Sequence, residues 1–257
     1  MSALKVPTSY LIAGIGNKTM PYTRHSAGLL MVEALAKSFD LNLKPVGRLN
    51  CLCAQTTVRI LRGTPEEQDM KFIFANSQAF MNLSGPPIAE ALRYYFGKGD
   101  AHSLILIHDS IEYPSMAIKP KQSGSAKGHN GVESVKKALG SGDFWRIRLG
   151  VGEYDRNMKK REMADFVLAD LTGAERRYWG QPGRGLDKVW EAVEGIVEKN
   201  QKVMQKAVQE QKHQQDQAKR VVTQQKAYDE FMARERQEAG IDDDNVRNDH
   251  GLPLPKH

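Results

Sequence analysis

Leu104-Ile105-Leu106-Ile107-His108-Asp109 is the stretch whose reading decides the fold. Four apolar residues in a row, without polar alternation, predict a central strand covered on both faces, the habit of parallel sheets. The run is strand-sized, bounded by Ser103 and His108. It closes on a carboxylate, Asp109, at the C-terminal end of the strand, where open α/β sheets build their crevice.

Outward from this strand, apolar and helical segments alternate. Tyr10 to Ala13 reads as a short buried strand ending in a glycine turn, Gly14-Ile15-Gly16-Asn17. Ser26 to Phe39 reads as a helix, with Leu29, Leu30, Val32, Leu35 and Ala36 near helical spacing. Thr56 to Leu61 and Lys71 to Ala75 are strand-like. Pro86 to Phe96 predicts a helix with proline in its first turn and Ser84 as its N-cap. Met116 to Lys121 is a further strand, Gly131 to Leu139 a short helix, and Trp145 to Val151 a strand. The alternation predicts an α/β fold: a single-domain three-layer sandwich with a mixed, largely parallel sheet, plus a long C-terminal helical extension.

Composition changes after about Asn200. Residues 201–225 hold nine glutamines, and the stripe of Val189, Val193, Ile196 and Val197 thins to Val203, Met204 and Val208. This pattern predicts a helix that begins packed and runs on into solvent, stopped at Ala239-Gly240 and followed by a disordered tail. The expected division is a domain over 8–200, a glutamine-rich helical extension over 201–240 and a tail over 241–257. A partner helix or RNA docked on the long helix, and a solvated helix with no partner, both account for the pattern.

No apolar run approaches the roughly 20 residues needed to span a bilayer, so no membrane association is expected. Met1 to Pro7 is too short and polar for a signal peptide and lacks the Arg-rich character of a transit peptide. The expectation is a cytoplasmic or mitochondrial protein, not a secreted one. Cys51 and Cys53 would share a strand face roughly 6.6 Å apart along it. A disulfide needs Cβ atoms about 3.8 Å apart. Two buried or half-buried thiols in a reducing compartment are therefore expected. The net charge is +6. Residues 1–150 carry 18 Lys+Arg against 11 Asp+Glu, or +7, and residues 151–257 carry 19 against 20, or −1. A basic N-terminal half suits a polyanion such as nucleic acid. A mildly basic domain with no such partner accounts for the charge as well.

The chemistry-bearing residues fall in short polar clusters after apolar runs or at helix starts. They are Asn17 after the first strand, Thr23-Arg24-His25-Ser26-Ala27-Gly28, Phe80-Met81-Asn82-Leu83-Ser84-Gly85, His108-Asp109, and Gly128-His129-Asn130-Gly131. A base, a carboxylate to orient it and several amides suit the hydrolysis of an ester or amide by water. Each cluster taken singly also has a structural reading, as a tight turn or a helix start. Gly14-Ile15-Gly16 does not complete a dinucleotide fingerprint, because position 19 is Thr. No Gly-x-Ser-x-Gly elbow is present, which argues against a serine hydrolase.

Taken together the clusters, with Arg146-Ile147-Arg148-Leu149-Gly150-Val151-Gly152, resemble the bacterial-type peptidyl-tRNA hydrolase family, in that family's order, over roughly residues 8 to 200. The resemblance implies cleavage of the ester joining a peptide to the terminal ribose of tRNA, with no metal or other cofactor. It implies that His25 is the catalytic base and Asp109 its orienting partner. Asn17, Asn82 and Asn130 would bind substrate and water, with Tyr22 and Met81 on the wall of the site. Lys119, Lys121 and Arg148 would clamp a tRNA phosphate, as point charges and a forked guanidinium suit. The implied partner is peptidyl-tRNA, with a ribosome as a candidate reached through the extension, and the domain is expected to be monomeric. A non-catalytic RNA- or ribosome-binding protein on the same fold is the alternative, since a chloroplast relative supports intron splicing. The chain departs from the family pattern at Lys18-Thr19 in place of Pro-Gly, in an interval from Asn17 to His25 about two residues shorter, and at Ser110 in place of an acidic residue. Residues 178–186 look like an altered lid or linker.

Overall fold

The computed structural model describes residues 7–97, 100–153 and 159–238. A seven-stranded sheet runs through it in the order β2-β3-β4-β1-β5-β7-β6. The strands are β1 (Ser9–Gly14), β2 (Lys44–Pro45), β3 (Cys51–Ile60), β4 (Gln68–Ser77), β5 (Leu104–Ser110), β6 (Ile118–Gln122) and β7 (Trp145–Gly150). The helices are α1 (Ala27–Ser38), α2 (Gly85–Phe96), α3 (Asn130–Leu139), α4 (Lys160–Leu168), α5 (Gly173–Gly180) and α6 (Arg184–Glu238). The central strands β4, β1, β5 and β7 are mutually parallel, with β3 and β6 antiparallel on the flanks. Every residue of β5 is buried, as its unbroken apolar run predicts.

Strand alternation sorts the core into two layers. Tyr10, Ile12, Phe72, Phe74, Ile105, Ile107 and Ile147 face one way, against residues of α1, α5 and α6. Leu11, Ala13, Ile73, Ala75, Leu104 and Leu106 face the other, against α2 and α3. This is the three-layer sandwich expected from the sequence. Asn200 ties α6 to the sheet. It accepts from Trp145 Nε1 at 2.8 Å on β7 and donates to the Tyr10 hydroxyl at 3.0 Å on β1. Burial pushes that phenol up to about 12. Cys51 and Cys53 are free, buried thiols.

Leu186, Val189, Val193, Ile196 and Val197 of α6 are buried at helical spacing. Among the described residues, those up to Lys202 belong to one compact unit and those from Val203 to another. In the second unit Val203, Val208, Val221, Val222, Tyr228 and Phe231 are exposed. The expected stop at Ala239-Gly240 and the tail over 241–257 lie outside the described residues. Among the described residues no helix is long and apolar enough to cross a membrane.

Several local expectations are corrected. β3 and β4 are longer than their apolar cores suggest, because they form a hairpin paired from Cys51↔Ser77 to Ile60↔Gln68. Ser84 occupies the N-cap position of α2 but does not cap it. Its backbone is already helical, continuing the 3-10 turn Met81–Leu83, and its Oγ donates to the Phe80 carbonyl. The Gly85 amide instead donates to Ser134 Oγ of α3 at 3.0 Å. Of the two readings of residues 178–186, linker rather than lid holds: they run from the end of α5 to the start of α6, and Trp179 is fully buried in the core.

The layer of α1 is seated by glycine. A Cβ on Gly28 would collide with the Ile107 carbonyl oxygen and lie 2.7 Å from that of Ile15, both rigid backbone. We expect Gly28→Ala to cost about 1–3 kcal/mol of overpacking, read as a lower urea midpoint. An alanine variant as stable as the parent would contradict this packing.

Candidate active site

The C-terminal ends of the parallel strands open on a crevice of about 760 Å³. Among its lining residues are Asn17, His25, Met81, Asn82, Asp109, Asn130 and Arg148, which come from six separate segments of the chain. Tyr22 is not in the lining. It is half exposed, under the Arg176 guanidinium at 4.9 Å. Lys119 and Lys121 also stand outside the lining, on edge strand β6. Each pairs across the ladder with an arginine of β7, Lys119 with Arg148 and Lys121 with Arg146, so four cations share one sheet face.

His25 sits in a 3-10 turn, Arg24–Ser26, directly before α1. The turn is strapped from outside: the Arg24 amide donates to the Ala169 carbonyl at 3.0 Å, and the Leu171 amide to that of Tyr22 at 2.8 Å. From inside, Ser26 Oγ donates to the Met20 carbonyl at 2.8 Å and accepts from the Asn17 amide at 3.0 Å. Met20 closes a tight turn onto the Asn17 carbonyl at 2.9 Å. The short interval between Asn17 and His25 is thus taken up by two stacked turns with Ser26 between them. Asn17 Oδ1 accepts from the Met81 amide at 3.3 Å, which leaves its NH₂ as the end able to donate elsewhere.

Asp109 is 2% exposed and carries the negative charge that faces His25. His25 Nδ1 lies 2.9 Å from Oδ2 and 3.0 Å from Oδ1, and His129 Nε2 lies 2.9 Å from Oδ1. A buried carboxylate without donors costs several kcal/mol; here two imidazoles engage it. Burial pushes its pKa up, but the two histidines outweigh that and hold the carboxyl well below the usual range. Burial also works against the His25 imidazolium, and Asp109 outweighs it, so the net shift of His25 is upward. His108 is fully buried. Its Nδ1 is 2.6 Å from the Asp109 backbone carbonyl, and desolvation pushes its pKa well down, so it stays neutral.

The crevice contains residues whose roles the motifs left open. Arg146 is buried, bonded to the Ser123 carbonyl and, at 2.9 Å, to that of Ser125, so it braces the loop leading to α3. The alternation Arg146-Ile147-Arg148 was its signal. Met163, Ala164, Val167 and Leu168 of α4 form an apolar wall. Gly131 lets α3 start against Met81 and Ile15, where a Cβ would strike the Met81 sulfur.

His25, Asp109 and His129 are also the one cluster, among the described residues, close enough to share a metal ion, with donor atoms within 4.8 Å. Their tautomers do not suit one. His129 Nδ1 accepts from the Val132 amide, so its proton sits on Nε2, the atom facing Asp109. A metal needs a lone pair there.

A histidine held by a buried carboxylate, beside three carboxamides, is an arrangement suited to hydrolysis by activated water. The family model described as peptidyl-tRNA hydrolase matches residues 11–217. The peptidyl-tRNA hydrolase of Frankia casuarinae is 37% identical over 170 residues, 65% of this chain and 79% of that protein. That of Caldicellulosiruptor saccharolyticus is 31% identical over 191 residues, covering 74% and 90%. The solved peptidyl-tRNA hydrolase of Acinetobacter baumannii superposes with a TM-score of 0.57 at 23% identity, over 82% of this chain and 93% of that one, a likeness of fold. The chain belongs to the peptidyl-tRNA hydrolase family.

The upward shift of His25 has a sign that can be checked. We expect its ring to titrate, by NMR, above the ordinary value of about 6.5. In Asp109→Asn the midpoint should fall below that of the parent. A parent midpoint at or below the ordinary value would contradict the pairing.

Proposed function

We propose that this protein hydrolyses the ester of peptidyl-tRNA, releasing peptide and tRNA, with His25 as general base. The observation that carries this reading is the His25–Asp109 pair in a crevice lined by Asn17, Asn82 and Asn130, in a chain of this family. Nδ1 of His25 is committed to Asp109, so Nε2 is the atom left to take a proton from water. As the water oxygen bonds to the ester carbon, Asp109 steadies the imidazolium. The NH₂ of Asn17 suits the developing oxyanion, a contact typically worth about 10²–10³ in rate. Asn82 and Asn130 position peptide and water. The imidazolium then returns its proton to the departing ribose oxygen. The wall is Met81 with the apolar face of α4; Tyr22 serves at the outer rim rather than in the crevice.

Lys119, Lys121 and Arg148 form the basic strip for tRNA phosphate. Arg148 is the member at the crevice, where its guanidinium also meets Glu112 at 3.5 Å and the Tyr113 ring. A strip of one sign beside the crevice favours a polyanion. Residues 8–200 are proposed as the hydrolytic domain, acting as a monomer. The stretch 201–240 is proposed as an extension able to engage a ribosome, since it holds none of the polar clusters that carry the site. Cytoplasm and mitochondrion, where tRNA is charged and used, are the proposed compartments.

The test is release of tRNA from purified peptidyl-tRNA. His25→Ala should lose about 10²–10⁴ in rate, the usual worth of a general base. Its affinity for tRNA should be retained and should fall with added salt. A variant with wild-type turnover would overturn the mechanism.

A further inference from the structure

His129 is the second imidazole on the Asp109 carboxylate, and the ester chemistry above leaves it without a task. It precedes α3 with an extended backbone, φ −75° and ψ 105°. Its Nδ1 accepts from the Val132 amide at 3.4 Å, and its backbone carbonyl accepts from Glu133 at 3.0 Å. This is an N-cap, made by a ring in place of a short side chain. The cap has a consequence across the ring. An Nδ1 that accepts carries no proton, so the proton lies on Nε2, 2.9 Å from Asp109 Oδ1.

We propose that His129 is a positioning residue for Asp109: its Nδ1 caps α3, and its Nε2–H draws on the carboxylate so that less of the negative charge falls on His25. The proposal rests on the hydrolytic reading of the crevice. Without the second donor, the whole charge of Asp109 would face the His25 imidazolium and hold its proton more tightly. The base would then be blocked over a wider range of acid pH. His129 thus trims a pairing that orients His25 but, left alone, would hold its proton more tightly.

The surroundings leave His129 as the donor on which this balance turns. His25 and His129 lie tilted to each other at 4.9 Å between ring centroids, and His108 meets His129 edge-on at 4.7 Å. His108 is turned to the Asp109 backbone rather than its carboxylate. Among the described residues, the other charged groups lining the crevice are Glu112 and Lys127 from the loops and Arg146 and Arg148 from β7. Glu112 is engaged by Arg148 and Lys127, and Arg146 by loop carbonyls. The α4 wall is apolar.

The two tasks of the ring separate in two substitutions. His129→Asn keeps an amide near Nδ1, where it can cap α3, but is too short to reach Asp109. His129→Gln places an NH₂ near Nε2, where it can reach Asp109, but caps poorly. The readouts are thermal midpoint and NMR titration of the His25 ring, neither of which needs substrate, together with the pH–rate profile on peptidyl-tRNA. For His129→Asn we expect a thermal midpoint near the parent's. Its His25 titration should rise on the order of one pH unit, the size of one charge-assisted hydrogen bond, with the acid limb of the rate moving equally. For His129→Gln we expect a lower thermal midpoint and a His25 titration near the parent's. An Asn variant whose His25 titrates as in the parent would make His129 a helix cap alone and overturn the proposal. A Gln variant that shifts as far as the Asn variant would overturn the assignment to the Nε2 bond. If the Gln variant does not fold, the Asn variant decides. If the parent fails to hydrolyse peptidyl-tRNA, the proposed function falls while the titrations still judge the positioning.

Discussion

Where β1, β5 and the start of α1 cross, three backbones meet with no side chain between them. Gly28 supplies the gap on the helix and Gly14 on the strand; a Cβ on Gly14 would lie 2.6 Å from the Gly28 carbonyl oxygen and 2.5 Å from Asn76 Oδ1. That approach fixes the distance between the turn carrying His25 and the end of β5. His25 and Asp109 are 84 positions apart in sequence and meet because Gly28 rests on Ile107, two residues before the carboxylate. A helix displaced by even one methyl group would break the contact, since packed interiors pass such shifts on rather than absorb them.

The electrostatics follow from that seat. Asp109 is taken out of water at the end of a buried strand, so its charge is strong and its donors matter. One imidazole gains basicity from it and the other shares its charge, while His108 stays neutral under burial. Asn17, Asn82 and Asn130 bring uncharged carboxamides to the crevice, a group suited to a developing oxyanion that adds no charge beside the base. Lys119 and Lys121, on edge strand β6, stand outside the crevice that holds the His25–Asp109 pair.

Much of this was legible in the residues. The unbroken run from Leu104 to Ile107 gave a doubly covered strand, and the polar pair after it marked the crevice. The rest was hidden for identifiable reasons. α4 and α5 carry mixed, partly exposed sequence, so their periodicity is weak, and the wall of Met163 and Val167 went unread. Ser84 has the chemistry of a cap but a helical backbone that cannot use it. Tyr22 lies beside His25 in sequence yet outside the crevice lining in space, because the turn ending at His25 is strapped to Ala169 and Leu171. His129 was visible as a helix start, but the double use of its ring depends on Asp109 and Val132 both being within reach. A motif does not carry that distance.

The central claim is that water, activated by His25, attacks the ester directly. The most direct measurement is a single turnover of peptidyl-tRNA in ¹⁸O-enriched water, with mass analysis of both products and of the protein. The account predicts one ¹⁸O in the new carboxylate of the released peptide, none in the tRNA terminus, and an unmodified chain throughout. A peptide found attached to the protein, or label in the tRNA, would contradict it.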